Sequence, residues 1–451
     1  MKKDVIQLSD HFSYGRLIRF ILPSIITMIF TSFYGVVDGL CVSNFAGENA
    51  FAAVNLIMPF PMLLGAFGMM FGTGGSALTA LKFGEGKPEE ANKTFSQMVY
   101  ATALLGIAFA IAGVVFTRPL ALLVGADGEI LEYCTIYGRI MFIGVPFFML
   151  QTLFQSFMVT AEKPSIGLLI TILAGVTNII LDIVFVGLFQ GGVTGAAIAT
   201  LISQMVGSIV PFVYFLREND SILGLVRTGF SLPLIWKACF NGSSELMTNA
   251  SLSLVNILYN YQLMKFLGYD GVAAYGVIMY VNFIFVSTFV GYSYGGAPIV
   301  SYHYGAGNKE ELQNVHGKSL KIIGITGVVM TLLAVLSSGL LSGIFVGYNE
   351  ALRELTARGF IIYSMSFLVM GFNIYGSSFF TALGNGVVSA VISFLRTFAF
   401  QVIMLLVLPL LFEADGIWSS IVVSEILAIV ITLVIMLKMA PKYGYFKYAC
   451  K

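Results

Sequence analysis

The chain contains two copies of one pattern at a constant separation of 221 residues. Gly74 and Gly75 of the first copy correspond to Gly295 and Gly296 of the second. Single matches mean little among 48 glycines, but many matches at one offset indicate an internal duplication, which is a mark of secondary transporters. Transport is therefore the first hypothesis. The same offset relates Gly84/Gly305, Gly86/Gly307, Glu89/Glu310, Glu90/Glu311, Gly138/Gly359, Ser156/Ser377, Thr160/Thr381, Ala161/Ala382, Gly195/Gly416 and Ser203/Ser424.

Composition makes lipid the expected solvent of this chain. Hydrophobic residues make up 58% of its 451 residues, charged residues only 10%, and the mean hydropathy is +0.90, values that do not suit the surface of a soluble domain. A helix needs about 20 apolar residues to span a bilayer. We therefore predict an all-α integral membrane protein with twelve transmembrane helices, near residues 16–43, 52–80, 95–117, 130–160, 164–188, 192–216, 235–266, 270–302, 319–341, 353–382, 387–411 and 415–438.

Six spans per copy determine how the two copies are related. Because six is an even number, both copies insert in the same orientation, and the predicted symmetry is a pseudo-two-fold axis along the membrane normal. The longest polar connection runs from Arg217 to Lys237 and contains Pro233. We therefore expect two six-helix lobes, an N-lobe of residues 1–220 and a C-lobe of residues 221–451.

Lys and Arg are distributed unevenly over the two faces. Of the 24 basic residues, 18 lie in the N-terminus, the even-numbered connections and the C-terminal tail, whereas Arg118, Lys265, Arg353 and Arg358 lie on the other side. Positive charge is retained on the cytoplasmic side of a membrane, which predicts a plasma-membrane protein with both termini cytoplasmic. The first apolar run is a full span without a cleavage motif, so we expect no cleavable signal peptide.

The motifs of common enzymes are not found in the sequence. No phosphate-binding P-loop, zinc motif or Ser/His/Asp arrangement occurs, so we expect neither an enzyme nor a cofactor. Energy for transport then comes from an ion gradient or from a partner outside this chain. The expected partners are small molecules and the lipid bilayer, with no nucleic acid, and the expected state is a monomer.

Ionisable residues inside the predicted spans are costly and are therefore functional candidates. Asp182 has Asn178 four residues earlier on the same helical face, and Thr200 lies at the same depth on the next helix. Asp38 on the first helix lies in the outer half of the membrane, and Tyr137 lies near the outer end of the fourth helix. The remaining intramembrane charges are Arg139, Glu245, Arg396 and Glu425.

Two carboxylates, an amide and hydroxyl groups at one depth form an all-oxygen cluster of the type that hard cations prefer. The same cluster suits a proton, because burial and mutual repulsion raise carboxylate pKa values and let two acids share a proton. The predicted site therefore takes Na⁺ or H⁺ and no other metal. The alternative is that these polar groups only hydrogen-bond between packed helices.

This set of residues resembles the multidrug and toxic compound extrusion (MATE) transporters. The resemblance rests on Asp38 fifteen residues after Pro23, on Asn178-x-x-x-Asp182, on Thr200 and on twelve helices in two lobes. It implies a V-shaped pair of lobes with a central cavity and export of amphipathic, often cationic drugs in exchange for Na⁺ or H⁺. It also implies an N-lobe cation site of Asp38, Tyr137, Asn178, Asp182 and Thr200.

The resemblance gives two further residues a role. Glu245 on the seventh helix is similar to an acidic residue that many members carry in the C-lobe for ion or substrate binding. Gln155 stands where members often have Asn, and we assign it to the wall of the substrate cavity. The N-lobe site has no copy in the second half, because Asp38 corresponds to Tyr259 and Asp182 to Ile403.

A mechanism of alternating access needs an ion site whose occupancy changes the relative energy of inward-open and outward-open states. Pro23 is the predicted hinge of helix 1, because proline removes a backbone hydrogen bond and kinks a helix, although a static kink is the alternative. Arg396 and Glu425 form a possible intramembrane ion pair. The second functional hypothesis is a flippase for lipid-linked saccharides, which would need a strongly basic cavity.

Overall fold

The protein is a bundle of long helices. A computed structural model describes residues 6–45 and 48–446, without the side chains of residues 36, 38–45, 48 and 51. π-Helices Ile183–Leu188 and Leu395–Ala399 follow the sixth and twelfth α-helices. The α-helices are α1 Tyr14–Phe45, α2 Glu48–Ile57, α3 Pro59–Gly84, α4 Pro88–Leu123, α5 Gly128–Thr160, α6 Pro164–Asp182, α7 Gly192–Leu216, α8 Leu232–Gly305, α9 Lys309–Val346, α10 Glu350–Ser364, α11 Phe367–Ala382, α12 Gly386–Phe394 and α13 Phe400–Tyr443.

These helices form the twelve predicted spans within the described ranges. The 74-residue α8 contains two spans that meet at Gly268, where φ is 64° and helical geometry is lost. In the same way α13 is interrupted at Glu413, with φ 48°. Helices α10 and α11 form one span with a 49° bend, and α2 is followed directly by α3 through Met58, whose backbone angles are helical. The prediction of twelve helices in two lobes of six is confirmed.

The two lobes meet through glycines that are related by the sequence repeat. A Cβ atom at Gly84 would collide with the Tyr302 carbonyl oxygen, and a Cβ atom at Gly305 would collide with that of Leu81. Gly84 and Gly305 differ by 221 positions, and so do Leu81 and Tyr302. The contact is therefore made twice by equivalent residues, as a pseudo-two-fold axis requires. Backbones approach this closely only where a side chain is missing.

A second pair of equivalent contacts lies further into the bundle. Gly242 on α8 packs against the backbone of Met70 and Gly74 on α3, and a Cβ atom would leave no room there. The counterpart of Gly242 in the first lobe is Ile21, whose Cα lies 3.1 Å from a Cβ built at Gly295. Helices α1 and α8 are thus each held against the opposite lobe.

The non-helical segments before α1 and α8 also contact the opposite lobe. We call residues 7–12 the strap and residues 217–231 the linker, and the end of the bundle on which they lie the basic face. In the strap, the Phe12 N–H donates to Glu311 Oε1 (2.8 Å), and Lys318 Nζ donates to the Phe12 carbonyl (2.6 Å). In the linker, the Val226 N–H donates to Ser96 Oγ (2.8 Å). These contacts join the strap to α9 of the second lobe and the linker to α4 of the first lobe. Each of these helices follows a turn with two of the repeated glycines, Gly305 and Gly307 before α9, and Gly84 and Gly86 before α4.

The strap also contacts its own lobe. Leu8 and Phe12 are fully buried, and the Leu8 N–H donates to Glu162 Oε1 (2.6 Å) in the turn between α5 and α6. Burial raises the pKa of the Glu162 carboxyl group, whereas this hydrogen bond acts in the opposite direction. On the other side, His11 Nδ1 lies 2.6 Å from Glu311 Oε2. The strap therefore connects the two lobes at the basic face.

Gly242→Ala is expected to lower the free energy of unfolding by about 1–3 kcal/mol, because the new methyl group overlaps the Met70 carbonyl and forces α3 and α8 apart. Gly276→Ala is the matched control, since it lies on α8 with no atom within 4 Å of the added Cβ. Thermal unfolding of both variants in detergent measures the difference. Equal stability of the two variants would show that the close contact of α3 with α8 is not required.

Candidate functional site

Asp182 and Asn178 lie together inside the first lobe. Their side chains are only 1% and 2% exposed, and they are separated by one turn of α6. Asp182 is the last residue of α6, and the π-helix Ile183–Leu188 follows it directly. A π-helical turn widens the helix and is frequent at functional sites. The sequence predicted the shared face, but nothing in it predicted the change of helix type.

Helix α1 packs against α6 beside these two residues. A Cβ atom at Gly175 would lie 2.5 Å from the Phe30 ring and 3.2 Å from the Tyr34 ring, so the missing side chain makes room for α1. Asn178 lies three residues beyond Gly175, and Asp38 lies four residues beyond Tyr34. Since both helices start at the basic face, Asp38 reaches the depth of Asn178. The Asp38 backbone belongs to α1, and its side chain lies outside the described part of the chain.

Helix α7 brings Thr200 to the same depth. Ser203 Oγ donates to the Ala174 carbonyl of α6 at 2.8 Å, which fixes the two antiparallel helices in register. Thr200 is three residues before Ser203, and Asn178 is four residues after Ala174, so both lie one turn further from the basic face. The Thr200 hydroxyl donates to the Ala196 carbonyl of its own helix at 3.1 Å and retains its acceptor lone pairs.

Tyr137 is fully buried next to this cluster. It belongs to a hydrophobic core that also contains Val186 of the π-helix and Ala196 of α7. Its hydroxyl group lies 3.7 Å from the Met58 sulfur, and it has further interactions. The structure thus places Tyr137 on the outer side of Asp182 and Thr200, beside the helices that carry them.

The cluster combines buried oxygen atoms with a low-dielectric environment. Neither the nitrogen nor the oxygen of the Asn178 amide has a hydrogen-bond partner among the described residues. An ionised carboxylate at such a position needs a cation, a proton or hydrogen-bond donors, because an isolated charge is unstable away from water. The arrangement is chemically suited to a small hard cation or a proton.

Glu245 lies on the first half of α8 in the second lobe and is half-buried. Its carboxyl group lies near the Tyr294 hydroxyl group on the second half of α8, and the positive charge of Arg396 acts on it. Asn249 Nδ2 donates to the Glu245 carbonyl at 2.8 Å. The Tyr294 contact was not predicted, because it joins residues 49 positions apart.

Arg396 and Glu425 form the predicted ion pair, with 2.8 Å between Arg396 Nε and Glu425 Oε1. Their side chains are 12% and 1% exposed. Asn373 Nδ2 donates to Glu425 Oε2 at 2.7 Å, and the Thr432 hydroxyl donates to Asn373 Oδ1 at 3.0 Å. Thr432 follows Glu425 by seven residues and so shares its helical face, a signal that the sequence contains. Asn373 lies on another helix and has no such signal.

The two remaining residues predicted from the sequence are Gln155 and Pro23. Gln155 lines a small crevice inside the first lobe between α5, α6 and α7, together with Gln151 and Thr171. Pro23 lies within a continuous α1, and its carbonyl accepts a 2.8 Å hydrogen bond from the Thr27 hydroxyl. Before Pro23, Ile21 packs in the core of the second lobe. Beyond Pro23, α1 contacts both lobes, since Ile25 packs against Gly291 of α8 and Phe30 packs against Gly175 of α6. Pro23 therefore lies just before the part of α1 that is in contact with both lobes.

Comparison with known proteins agrees with this fold. The MatE family model matches residues 23–184 and 246–407, one segment in each lobe. The chain is 24% identical to the multidrug export protein MepA of Staphylococcus saprophyticus over 438 residues, 93% of each chain. It is 22% identical to MepA of Staphylococcus aureus, over 94% of each chain.

Solved structures show the same architecture. The outward-facing conformation of a multidrug resistance MATE family transporter of the MOP superfamily matches with a TM-score of 0.92 at 21% identity, covering 99% of this chain and 100% of that one. A MOP superfamily transporter from Pyrococcus furiosus matches with a TM-score of 0.88 at 22% identity, covering 96% and 97%. The chain belongs to the MatE family, and it is a multi-span membrane transporter of the MATE type.

Glu425→Gln is expected to destabilise the protein by about 3–5 kcal/mol, because it leaves the Arg396 guanidinium charged and unpaired in the second lobe. The double variant Arg396→Met/Glu425→Gln removes both charges and keeps an oxygen acceptor for Asn373, so it is expected to regain much of that loss. Chemical denaturation in detergent compares the two. A double variant that is less stable than Glu425→Gln alone would contradict the ion-pair account.

Proposed function

We propose that this protein is a secondary active antiporter that exports amphipathic, often cationic drugs or metabolites in exchange for Na⁺ or H⁺. The single observation that carries the proposal is the buried Asp182, next to Asn178 and at the junction of α6 with a π-helix. A carboxylate kept in an apolar bundle costs stability, and its retention there is explained by a function in ion binding. The family and the multidrug export proteins similar to this chain support the drug substrates.

The proposed coupling site consists of Asp38, Tyr137, Asn178, Asp182 and Thr200. The depths of Asn178 and Thr200 support it, since Gly175 and the Ser203 contact bring α1, α6 and α7 together at that level. An ion or proton that neutralises the carboxylates stabilises one arrangement of these helices over another. Drug and ion each weaken the binding of the other, because coupling between two sites is reciprocal.

Pro23 is the proposed hinge that transmits this change. The part of α1 before Pro23 is held in the second lobe by Ile21, and the part after it contacts α8 at Gly291 and α6 at Gly175 on the way to Asp38. A proline interrupts the backbone hydrogen bonds of a helix, so the part of α1 that carries Asp38 can bend relative to the part before Pro23. Neutralising Asp38 then changes the position of α1 relative to the first lobe.

Glu245 is the proposed contact for a cationic substrate in the second lobe. It is half-buried, and the hydroxyl group and aromatic ring of Tyr294 lie near it. A carboxylate beside an aromatic ring is a favourable environment for an organic cation. We place Gln155 in the wall of the substrate cavity, beside the crevice it lines in the first lobe.

The remaining parts of the proposal concern location and assembly. We place the protein in a prokaryotic plasma membrane as a monomer, with the basic face and both termini in the cytoplasm, because Lys and Arg concentrate there. The boundary between N-lobe and C-lobe falls at residues 220 and 221, within the linker that joins α7 to α8.

A flippase for lipid-linked saccharides is less well supported. Such a substrate carries a diphosphate and needs basic groups that are available to it. Within the described membrane segments, Arg396 is paired with Glu425, and Arg139 is exposed on α5. These positions do not offer the free basic cavity that a diphosphate would require.

Asp182→Asn is expected to weaken ion-driven transport strongly, because a neutral amide offers no negative charge to Na⁺ and takes up no proton. Ethidium efflux from proteoliposomes, with Na⁺ and pH gradients imposed separately, measures the effect. The gradient-dependent rate is expected to fall by about 5- to 150-fold, the usual range of coupling between two sites. The gradient that supports efflux in the original protein identifies the coupling ion.

Asp220→Asn is the matched control, since Asp220 lies in the linker with its side chain 78% exposed in an ion pair with Lys163. It is expected to transport normally, because exposed ion pairs contribute little. Normal efflux in Asp182→Asn would move the coupling role away from the first lobe. No efflux from the original protein under either gradient would argue against drug export.

Glu245→Gln is expected to weaken ethidium binding by about ten-fold or more, because interactions with a charged group contribute about 1.5–3 kcal/mol. Glu354→Gln, at an exposed position on α10, is the control for loss of one acidic residue. Binding is measured by ethidium fluorescence with purified protein. Unchanged affinity in Glu245→Gln would remove this residue from the substrate site.

A further inference from the structure

An apolar groove lies outside the candidate ion site, between the two lobes. It has a volume of about 180 Å³ and is formed by α1, the second half of α8 and α9. Ile18 and Ile25 of α1, Thr288 and Tyr292 of α8, and Ile322 and Thr326 of α9 line it. Ile18 is 45% exposed, whereas the Tyr292 ring is buried. The groove therefore leads from the lipid-facing surface into the packed interior.

The groove lies in the membrane half next to the basic face. Ile18 and Ile25 are 4 and 11 residues after Tyr14, which places them about 6 and 16 Å along α1 from its first residue. One leaflet contributes about 15 Å of hydrocarbon. The depth of the groove thus corresponds to the acyl-chain region of a single leaflet.

The mouth of the groove is basic and aromatic. Lys318 Nζ lies 5.3 Å from the centre of the Tyr14 ring, and Lys318 is one helical turn before Ile322 on the same face of α9. One Lys318 proton is used by the Phe12 carbonyl, which leaves two donors. Lys321 beside it is exposed. Tyr and Lys at this level are typical of residues that contact lipid headgroups.

The equivalent position in the first lobe is built differently. By the 221-residue offset, Thr288 corresponds to Phe67 and Thr326 to Leu105, and both of these larger side chains pack against a core cluster of the first lobe. Two small polar residues of the second lobe thus occupy positions that larger apolar side chains fill in the first lobe. The groove is a feature of one lobe and not a consequence of the shared helix arrangement.

The charges at the mouth differ between the lobes as well. Lys318 corresponds to Gln97 and Lys321 to Tyr100. The linker covers both of these neutral residues, since the Ser231 N–H donates to Gln97 Oε1 at 3.1 Å and the Tyr100 hydroxyl donates to the Val226 carbonyl at 3.3 Å. The second lobe therefore combines an unfilled apolar groove with positive charge at its entrance.

We propose that this groove binds an anionic phospholipid of the adjacent leaflet, with one acyl chain between α1, α8 and α9 and the phosphate at Lys318 and Lys321. The apolar lining matches the chain, and the two lysines match the charge of the headgroup. Because α1 and α9 come from different lobes, the lipid joins the lobes next to the strap. This site is separate from the proposed export function and does not depend on it.

Lipid retained by the purified full-length protein tests the proposal. The protein is reconstituted with phosphatidylglycerol or phosphatidylcholine, extracted with detergent, and analysed by native mass spectrometry. One phosphatidylglycerol per chain is expected, in preference to phosphatidylcholine. Lys321→Gln is expected to lower retention of phosphatidylglycerol about five-fold, the effect of one lysine near an anionic headgroup. Lys237→Gln is the control, since it removes an exposed lysine of the basic face away from the groove.

The double variant Thr288→Phe/Thr326→Leu tests the groove itself, because it introduces the residues of the first lobe. It is expected to retain neither lipid, with an unchanged elution volume and unfolding temperature. Retention equal to that of the original protein would overturn the proposal. If this variant does not fold, the comparison of Lys321→Gln with Lys237→Gln tests the proposal instead. Equal retention of phosphatidylglycerol by these two variants would overturn the proposal. Failure of the original protein to retain phosphatidylglycerol would also overturn it.

Discussion

Direct backbone contact between the two lobes is the constraint on which the rest of this structure depends. At Gly84 and Gly305, and again at Gly74 and Gly242, a single added carbon would collide with backbone of the other lobe. Helices in lipid gain no hydrophobic stabilisation from meeting each other, so close packing and interhelical hydrogen bonds hold them together. The glycines let α1 and α8 cross to the opposite lobe, and the strap and linker follow the same crossing. The position of α1 relative to α6 depends on that anchor.

The polar groups inside the bundle illustrate two ways of keeping a charge in an apolar environment. Glu425 is satisfied inside the protein by Arg396 and Asn373. Around Asp182 the Asn178 amide has no hydrogen-bond partner among the described residues, and the helix changes from α to π at that point. The pair in the second lobe is thus satisfied by side chains of its own lobe, whereas the amide next to Asp182 is available to the ion that we propose there.

Duplication preserved the backbone and changed the chemistry of the two lobes. Tyr259 replaces Asp38 in the second lobe and stacks on Tyr275 with ring centres 4.8 Å apart, so packing takes the place of charge. Conversely, Thr288 replaces Phe67 and leaves a groove where the first lobe is filled. The glycine contacts are shared because they set the helix arrangement, while the side chains that face cavities are free to differ. Each lobe therefore carries its own set of sites on one scaffold.

The sequence by itself determined the twelve spans, the two equal lobes and the pseudo-two-fold relation, because hydropathy and a constant repeat offset act through local segment length and number. It also placed Asn178 on the face of Asp182, since helical spacing is local, and it put Arg396 and Glu425 in consecutive spans. Only the tertiary structure decided that Asn373 completes the ion pair, that Tyr294 meets Glu245, and that the strap joins Glu162 to Glu311. These contacts join residues far apart in the chain. They form only when helices from different parts of the chain pack closely together, and the sequence of a single helix does not determine that packing.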